Sequence, residues 1–153
     1  MPVKAQVLTK DQVGMKHGFR SGLEDTISNQ LADAGVEAKY EPFRIQYIQP
    51  ERKAHYTPDF VLPNGIIIET KGRFITKDRQ KHVFLKEQHP DLDIRFVFSN
   101  PNNRISKGSQ TTYGLWCKKH GFQFASKLIP AEWINEPKDE RRIKALNETK
   151  SND

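Results

Sequence analysis

Apolar residues recur at spacings of three and four from Leu23 through Ile27 and Leu31 to Ala34, the stripe of an amphipathic helix. Ser21 precedes the stripe as an N-cap, Glu24 follows three residues later as in a capping box, and Gly35 stands where a helix end needs a left-handed residue. From Val36 to Ile48 the period changes to two. Phe43, Ile45 and Tyr47 alternate with Arg44 and Gln46, which predicts a strand, and Pro42 marks an edge or a bulge. The polar stretch from Gln49 to His55 leads into YTPDFVLPNGIIIETKG, two β-rich runs around a Pro63-Asn64-Gly65 turn, the pattern of a hairpin. Beyond it a helix is predicted from Thr76, as N-cap, to the Gln88-His89-Pro90 stop. A buried strand follows over IRFVFS (94–99), then a helix over Tyr113 to His120 closed by Gly121. FQFASKLIPAEWI adds a short extended piece and a turn of helix near Pro130. The order α-β-β-β-α-β-α predicts an α/β fold, a mixed β-sheet flanked by helices.

The two ends lack such periodicity. Residues 1–18 carry Lys4, Lys10, Lys16 and His17 with two glycines and read as a flexible basic arm. Residues 138–153 balance their charges with little apolar content and read as a flexible, at most weakly helical, tail. One domain is expected between them, over 19–137, in keeping with a chain of 153 residues. Lys and Arg number 25 against 19 Asp and Glu, a formal net charge of +6 that favours polyanionic partners. The single cysteine, Cys117, excludes an internal disulfide and suits a reducing compartment. The opening MPVKAQVLTKDQVG lacks the apolar run of a signal peptide, and no stretch approaches the roughly 20 apolar residues that span a bilayer. A cytoplasmic protein, neither secreted nor membrane-bound, is expected. Zinc-ligand spacing, a Walker loop and a nucleophile elbow are all missing from the sequence.

The chemistry concentrates on the hairpin. A three-residue turn with Gly65 at positive φ pairs Leu62 with Ile66 and so sets Asp59 against Glu69. Lys71 shares the face of Glu69, while Phe60 and Ile68 point the other way. A two-residue turn would instead separate the acids onto different faces. Opposed like charges on adjacent strands cost about 0.2–1 kcal/mol, a cost that a hard cation offsets. Carboxylate oxygens suit Mg²⁺ or Mn²⁺, and a lysine beside them can orient or deprotonate an attacking water and offset charge on a phosphate. The plainer reading makes Asp59 a strand-end residue after Pro58, and Glu69 and Lys71 the exposed face of an amphipathic strand. Against it, Ile66-Ile67-Ile68 implies a strand buried on both faces.

Pro58-Asp59 followed by Glu69-Thr70-Lys71 resembles the PD-(D/E)xK motif of the restriction-endonuclease-like superfamily. FRSGLED (19–25), YTPDFVLPNGIIIETKG (56–72), RQKH (79–82), EQHPDLDIRFVF (87–98) and KLIPAEWI (127–134) together resemble the phage T7 endonuclease I family, over residues 19 to 137. That resemblance implies a Holliday junction resolvase that cuts four-way and other branched DNA with Mg²⁺ or Mn²⁺. It also implies a homodimer that exchanges its first helix and strand. Asp59 and Glu69 would be metal ligands together with the Thr70 carbonyl, Lys71 the catalytic lysine, and Glu24 a ligand to a second metal reaching the partner chain's site. On spacing alone Glu24 reads as a capping residue; the resemblance makes it catalytic and turns the segment 49–55 into the crossover bridge. Phosphate contacts are expected from Lys16, Arg20, Ser21, Arg73, Lys77, Arg79, Lys81, Arg104 and Lys107, with strongly salt-dependent binding. The chain departs from the family before Phe19, in QPERKAH, at Arg73-Phe74 and in the tail. Two alternatives stay open: a nuclease of the same fold acting on ordinary duplex or at specific sequences, and a non-catalytic DNA-binding architectural protein.

Overall fold

The computed structural model describes residues 22–49 and 52–151. Helix α1 (Gly22–Asp33) buries Ile27 and Leu31 of the predicted stripe. Gly35 leaves the helix at φ +69, and Val36 N donates to Leu31 O at 2.9 Å. The proposed cap, Ser21, lies outside the described residues. The strand expected over 36–48 is in fact two, β1 (Lys39–Tyr40) and β2 (Arg44–Gln49), in different sheets. The break falls at Glu41, whose φ is +41, and at Pro42, which has no N–H to give a ladder.

Of the segment 49–55, expected to be the crossover bridge, residues 52–55 belong to β3 (Arg52–Tyr56), which pairs antiparallel with β2, Ala54 opposite Tyr47. Arg52, Lys53 and His55 face solvent while Ala54 and Tyr56 turn inward, so the strand shows no apolar run in the sequence. The hairpin of β4 (Phe60–Val61) and β5 (Ile67–Lys71) has the register expected of a three-residue turn: Phe60 opposite Ile68, Val61 opposite Ile67. Leu62 N donates to Ile66 O at 2.8 Å across the turn. Gly65 sits at φ +95, and a Cβ there would lie 2.8 Å from Ile143 Cγ1, so both backbone and space demand glycine.

Helix α2 (Thr76–Gln88) begins at Thr76 instead of being capped by it; the capping position is Ile75, without a side-chain bond. Then come β6 (Ile94–Phe98), α3 (Tyr113–His120), β7 (Phe124–Ser126) and the short α4 (Ala131–Ile134). Thr112 accepts from Leu115 N at the start of α3, and Gly121 ends it at φ +80. The main sheet has the order β1-β4-β5-β6-β7, antiparallel as far as β5 and parallel from β5 to β7. It is the mixed sheet the pattern predicts. Ile67, Phe96 and Phe98 on one face pack with Tyr56, Phe74, Leu85, Trp116 and Cys117, and Phe60, Ile66, Ile68 and Val97 on the other with Ile27, Leu31, Ile129 and Trp133. Burial pushes the Cys117 thiol up to about 12. Gln30 fastens α1 to this second core, its amide donating to Ile129 O at 2.8 Å and accepting from Ile129 N at 2.9 Å. Among the described residues no helix is long and apolar enough to cross a membrane.

The C-terminal segment departs from the expected flexible tail. It forms α5 (Glu140–Thr149) and β8 (Lys150–Ser151), with Asp139 capping the helix and β8 pairing with β2. Arg142, Ala145 and Leu146 are buried. Arg142 Nε donates to Asn64 O at 2.9 Å, and its Nη1 meets Glu136 Oε2 at 2.7 Å and Asp93 Oδ2 at 3.2 Å. A helix whose inward face includes a paired arginine hides its amphipathicity in a list of charges.

Candidate active site

The outer end of β5 places Glu69, Thr70 and Lys71 beside Asp59, one residue before β4. Asp59 Oδ2 accepts from both Thr70 N and Thr70 Oγ1 at 2.9 Å. Glu69 is 5% exposed; its Oε1 accepts from the Tyr56 hydroxyl at 2.6 Å, and its Oε2 lies 3.5 Å from Lys71 Nζ. Lys71 Nζ is also 3.5 Å from Asp78 Oδ2, in the first turn of α2. From the opposite side α1 brings Glu24, 3% exposed, whose Oε2 accepts from the Tyr40 hydroxyl at 2.9 Å. Carboxylate oxygens of Glu24, Glu41 and Asp59 all lie within 4.8 Å of one another. Glu24, Asp59, Glu69, Thr70, Lys71 and Lys81 line one cavity of about 310 Å³. A larger cleft of about 620 Å³, between β3, α2 and α3, has no acidic lining and so none of this chemistry.

Burial, reinforced by Glu69 and Glu24, pushes the Asp59 carboxyl up to about 9, outweighing the two hydrogen bonds from Thr70. Burial also lifts Glu69 above the usual carboxylate range, against the pull of Lys71 and Tyr56. For Lys71 the balance is reversed: burial lowers it, but Glu69, Asp78 and Asp59 together raise it. The sequence left open whether this lysine orients or deprotonates water. Its surroundings favour the ammonium. Buried carboxylates converging in one cavity, Asp59 and Glu69 each raised by burial and Asp59 also by its like-charged neighbours, form an oxygen donor set that fits a hard divalent cation.

This balance has a measurable sign. The folded value for Asp59 lies above its ordinary value of 3.8, so its contribution to stability is full below 3.8 and is lost as pH rises towards about 9. A divalent cation held by Asp59 would compete with that proton. The rise in melting temperature produced by the cation is therefore expected to grow from about pH 6 towards about pH 9. Thermal melts with cation and with chelator across that range check it; a cation effect independent of pH would contradict the linkage.

Of the residues singled out in the sequence, Glu24, Asp59, Glu69, Thr70 and Lys71 come together. Within the single chain Glu24 lies at the site formed by its own β-hairpin, and α1 packs on the sheet through Ile27, Leu31 and Gln30. Arg73, Lys77, Arg104 and Lys107 are exposed, and Lys81 is half-buried at the cavity. Lys16, Arg20 and Ser21 lie outside the described residues. Arg79 must be struck from the phosphate contacts. It is buried on the inner face of α2, where Nη1 donates to Phe74 O and to Ile105 O, and Nη2 to Thr76 Oγ1 at 3.0 Å. Tyr56, Asp78 and Glu41 went unnoticed in the sequence. Asp78, two residues into a helix seven positions beyond Lys71, carried the one usable signal; Glu41 is brought in by a left-handed backbone that nothing in its spacing announces.

The profile of the phage endonuclease I family matches residues 5–153. Endonuclease I of Escherichia phage T7 is 56% identical over 122 residues, covering 80% of this chain and 82% of that protein. Endodeoxyribonuclease 1 of Enterobacteria phage T3 is 57% identical over 122 residues, 80% of each chain. With the family profile spanning nearly the whole sequence and both relatives matched across four-fifths of it, the chain belongs to the phage endonuclease I family.

Proposed function

We propose that this chain is a divalent-metal-dependent endonuclease that cuts branched DNA, four-way junctions above all, as a homodimer. The observation that carries the reading is the convergence of Asp59, Glu69, Lys71 and Glu24 in one cavity, on a chain with a net charge of +6. Mg²⁺ or Mn²⁺, two to a site, would be held by Asp59, Glu69 and the Thr70 carbonyl on one side and by Glu24 with Asp59 on the other, supplying a Lewis acid for in-line hydrolysis of a phosphodiester. The chain's own groups do the rest. Thr70 fixes the Asp59 carboxylate through two hydrogen bonds. Lys71, held between Glu69 and Asp78, places a positive charge where negative charge gathers on the phosphate, and the products carry 5′-phosphate and 3′-hydroxyl ends. Lys81 at the cavity, with the exposed Arg73 and Lys77, meets flanking phosphates. Glu41, close to Glu24 and Asp59, adds a further oxygen donor.

In the dimer, exchange of α1 and β1–β2 would replace the contacts of Ile27, Leu31 and Gln30 with the same contacts made across the subunit boundary. Each α1 then completes the neighbouring site. In Mg²⁺ the protein is expected to linearise a supercoiled plasmid bearing an extruded cruciform and to leave linear duplex intact at moderate salt. On a fixed four-way junction, a mixture of Glu24→Ala and Asp59→Ala subunits regains one working site per mixed dimer if sites are shared. Dimeric protein that ignores junctions overturns the substrate reading, and mixed dimers without recovery overturn the exchange.

A further inference from the structure

Glu69 has a neighbour that the established motif does not contain. Tyr56 ends β3 opposite Ile45 of β2 and is 1% exposed. Its ring meets His82 edge-on, centroids 5.1 Å apart at 79°. Phe74, Phe96 and Phe122 surround that histidine, and neither of its ring nitrogens has a hydrogen-bond partner among the described residues. His82 therefore packs the tyrosine without competing for its hydroxyl, which donates to Glu69 Oε1 at 2.6 Å. The other oxygen, Oε2, faces Lys71 at 3.5 Å in the cavity.

A carboxylate is free to turn about its last torsion, and a ligand that turns binds a cation poorly. One oxygen tied on the core side leaves the other aimed outward. We propose that Tyr56 is the positioning residue of the metal site: its hydroxyl locks the Glu69 carboxylate so that Oε2 is presented to the cation and to Lys71. The inference rests on the nuclease reading given above and adds to it a residue contributed by the β2–β3 hairpin, whose other strand carries none of the acids.

The test is Tyr56→Phe in the full chain, which removes the hydroxyl and keeps the ring. Calcium binding to the DNA-free protein, read by titration calorimetry, is expected to weaken about tenfold, within the range found for partners that orient metal ligands. Turnover should fall with it and recover at high Mn²⁺, while junction binding in chelator stays unchanged. In a Glu69→Asp background, where the shortened carboxylate no longer reaches the phenol, Tyr56→Phe should cost nothing more. Wild-type calcium affinity in Tyr56→Phe, or additive losses in the double variant, would overturn the proposal. A wild-type protein that takes up no divalent cation would sink the nuclease reading and this inference with it, whereas the first two outcomes sink the inference alone. Should Tyr56→Phe not fold, the shielded Tyr56 hydroxyl proton of the wild-type protein supplies the readout: its NMR resonance shifts as Ca²⁺ fills the site, and a resonance indifferent to Ca²⁺ overturns the proposal.

Discussion

Glu69→Gln is expected to fold, to bind branched DNA, and to cut it about a thousandfold more slowly than the wild-type protein, or slower still. The substitution keeps the size of the side chain and an acceptor for the Tyr56 hydroxyl, and replaces the charged outer oxygen with an amide NH2. Two things go with that charge. The cation loses an anionic oxygen, and Lys71 loses one of the carboxylates that hold its ammonium in place. Because burial already lifts Glu69 above the usual carboxylate range, neutralising it relieves a desolvation cost, so the metal-free variant should melt no lower than the wild type. Single-turnover cleavage of a labelled junction, paired with a binding assay in Ca²⁺, separates the two effects. A variant cutting within about tenfold of the wild-type rate would take Glu69 out of the chemistry.

Arg142→Ala should be the most destabilising change away from the active site, at about 3 kcal/mol. Arg142 is 6% exposed. It bridges α5 to the hairpin turn through Asn64 O, to the strand entry through Asp93, and to the loop before α5 through Glu136 and Pro137 O. The loss stays near the lower end of the range for broken buried pairs because Arg95 still contacts both Asp93 and Glu136. For a chain of this length it corresponds to a fall of roughly 6–12 °C in melting temperature. Arg142→Lys should recover only a part, since an ammonium cannot reproduce three directed sets of bonds. Urea unfolding of the two variants checks the order. Stability within about 0.5 kcal/mol of the wild type for Arg142→Ala would mean that the network is an ornament of the surface.

The hairpin was legible because two strong local rules coincide there. A glycine required at positive φ fixes the turn length, and the turn length fixes which residues face each other, so Asp59 and Glu69 follow from Gly65 alone. Helix α1 was legible for a similar reason, its stripe and its glycine stop agreeing. The hidden parts depended on partners distant in the chain. Helix α5 presents a paired arginine to the interior, and its burial makes sense only once Asp93 and Glu136 are in place. Arg79 looked like a DNA contact because it follows the acids closely, but sequence distance says nothing about which side of α2 faces the core. Glu41 and Tyr56 reach the site through a backbone break and a second sheet, neither of which leaves a periodic trace. The rest of the carboxylate group rests on family resemblance for its roles and on the fold for its positions.

Cys117 is the chain's one sulfhydryl, fully enclosed and with its proton held to about 12. At neutral pH it is almost wholly un-ionised and out of reach of maleimides and similar electrophiles. A reporter dye aimed at a cysteine introduced in the exposed loop at Lys107 will therefore attach at that one address, with no need to mutate the native sulfur. The wild-type interior thus comes ready for fluorescence measurements on DNA arms.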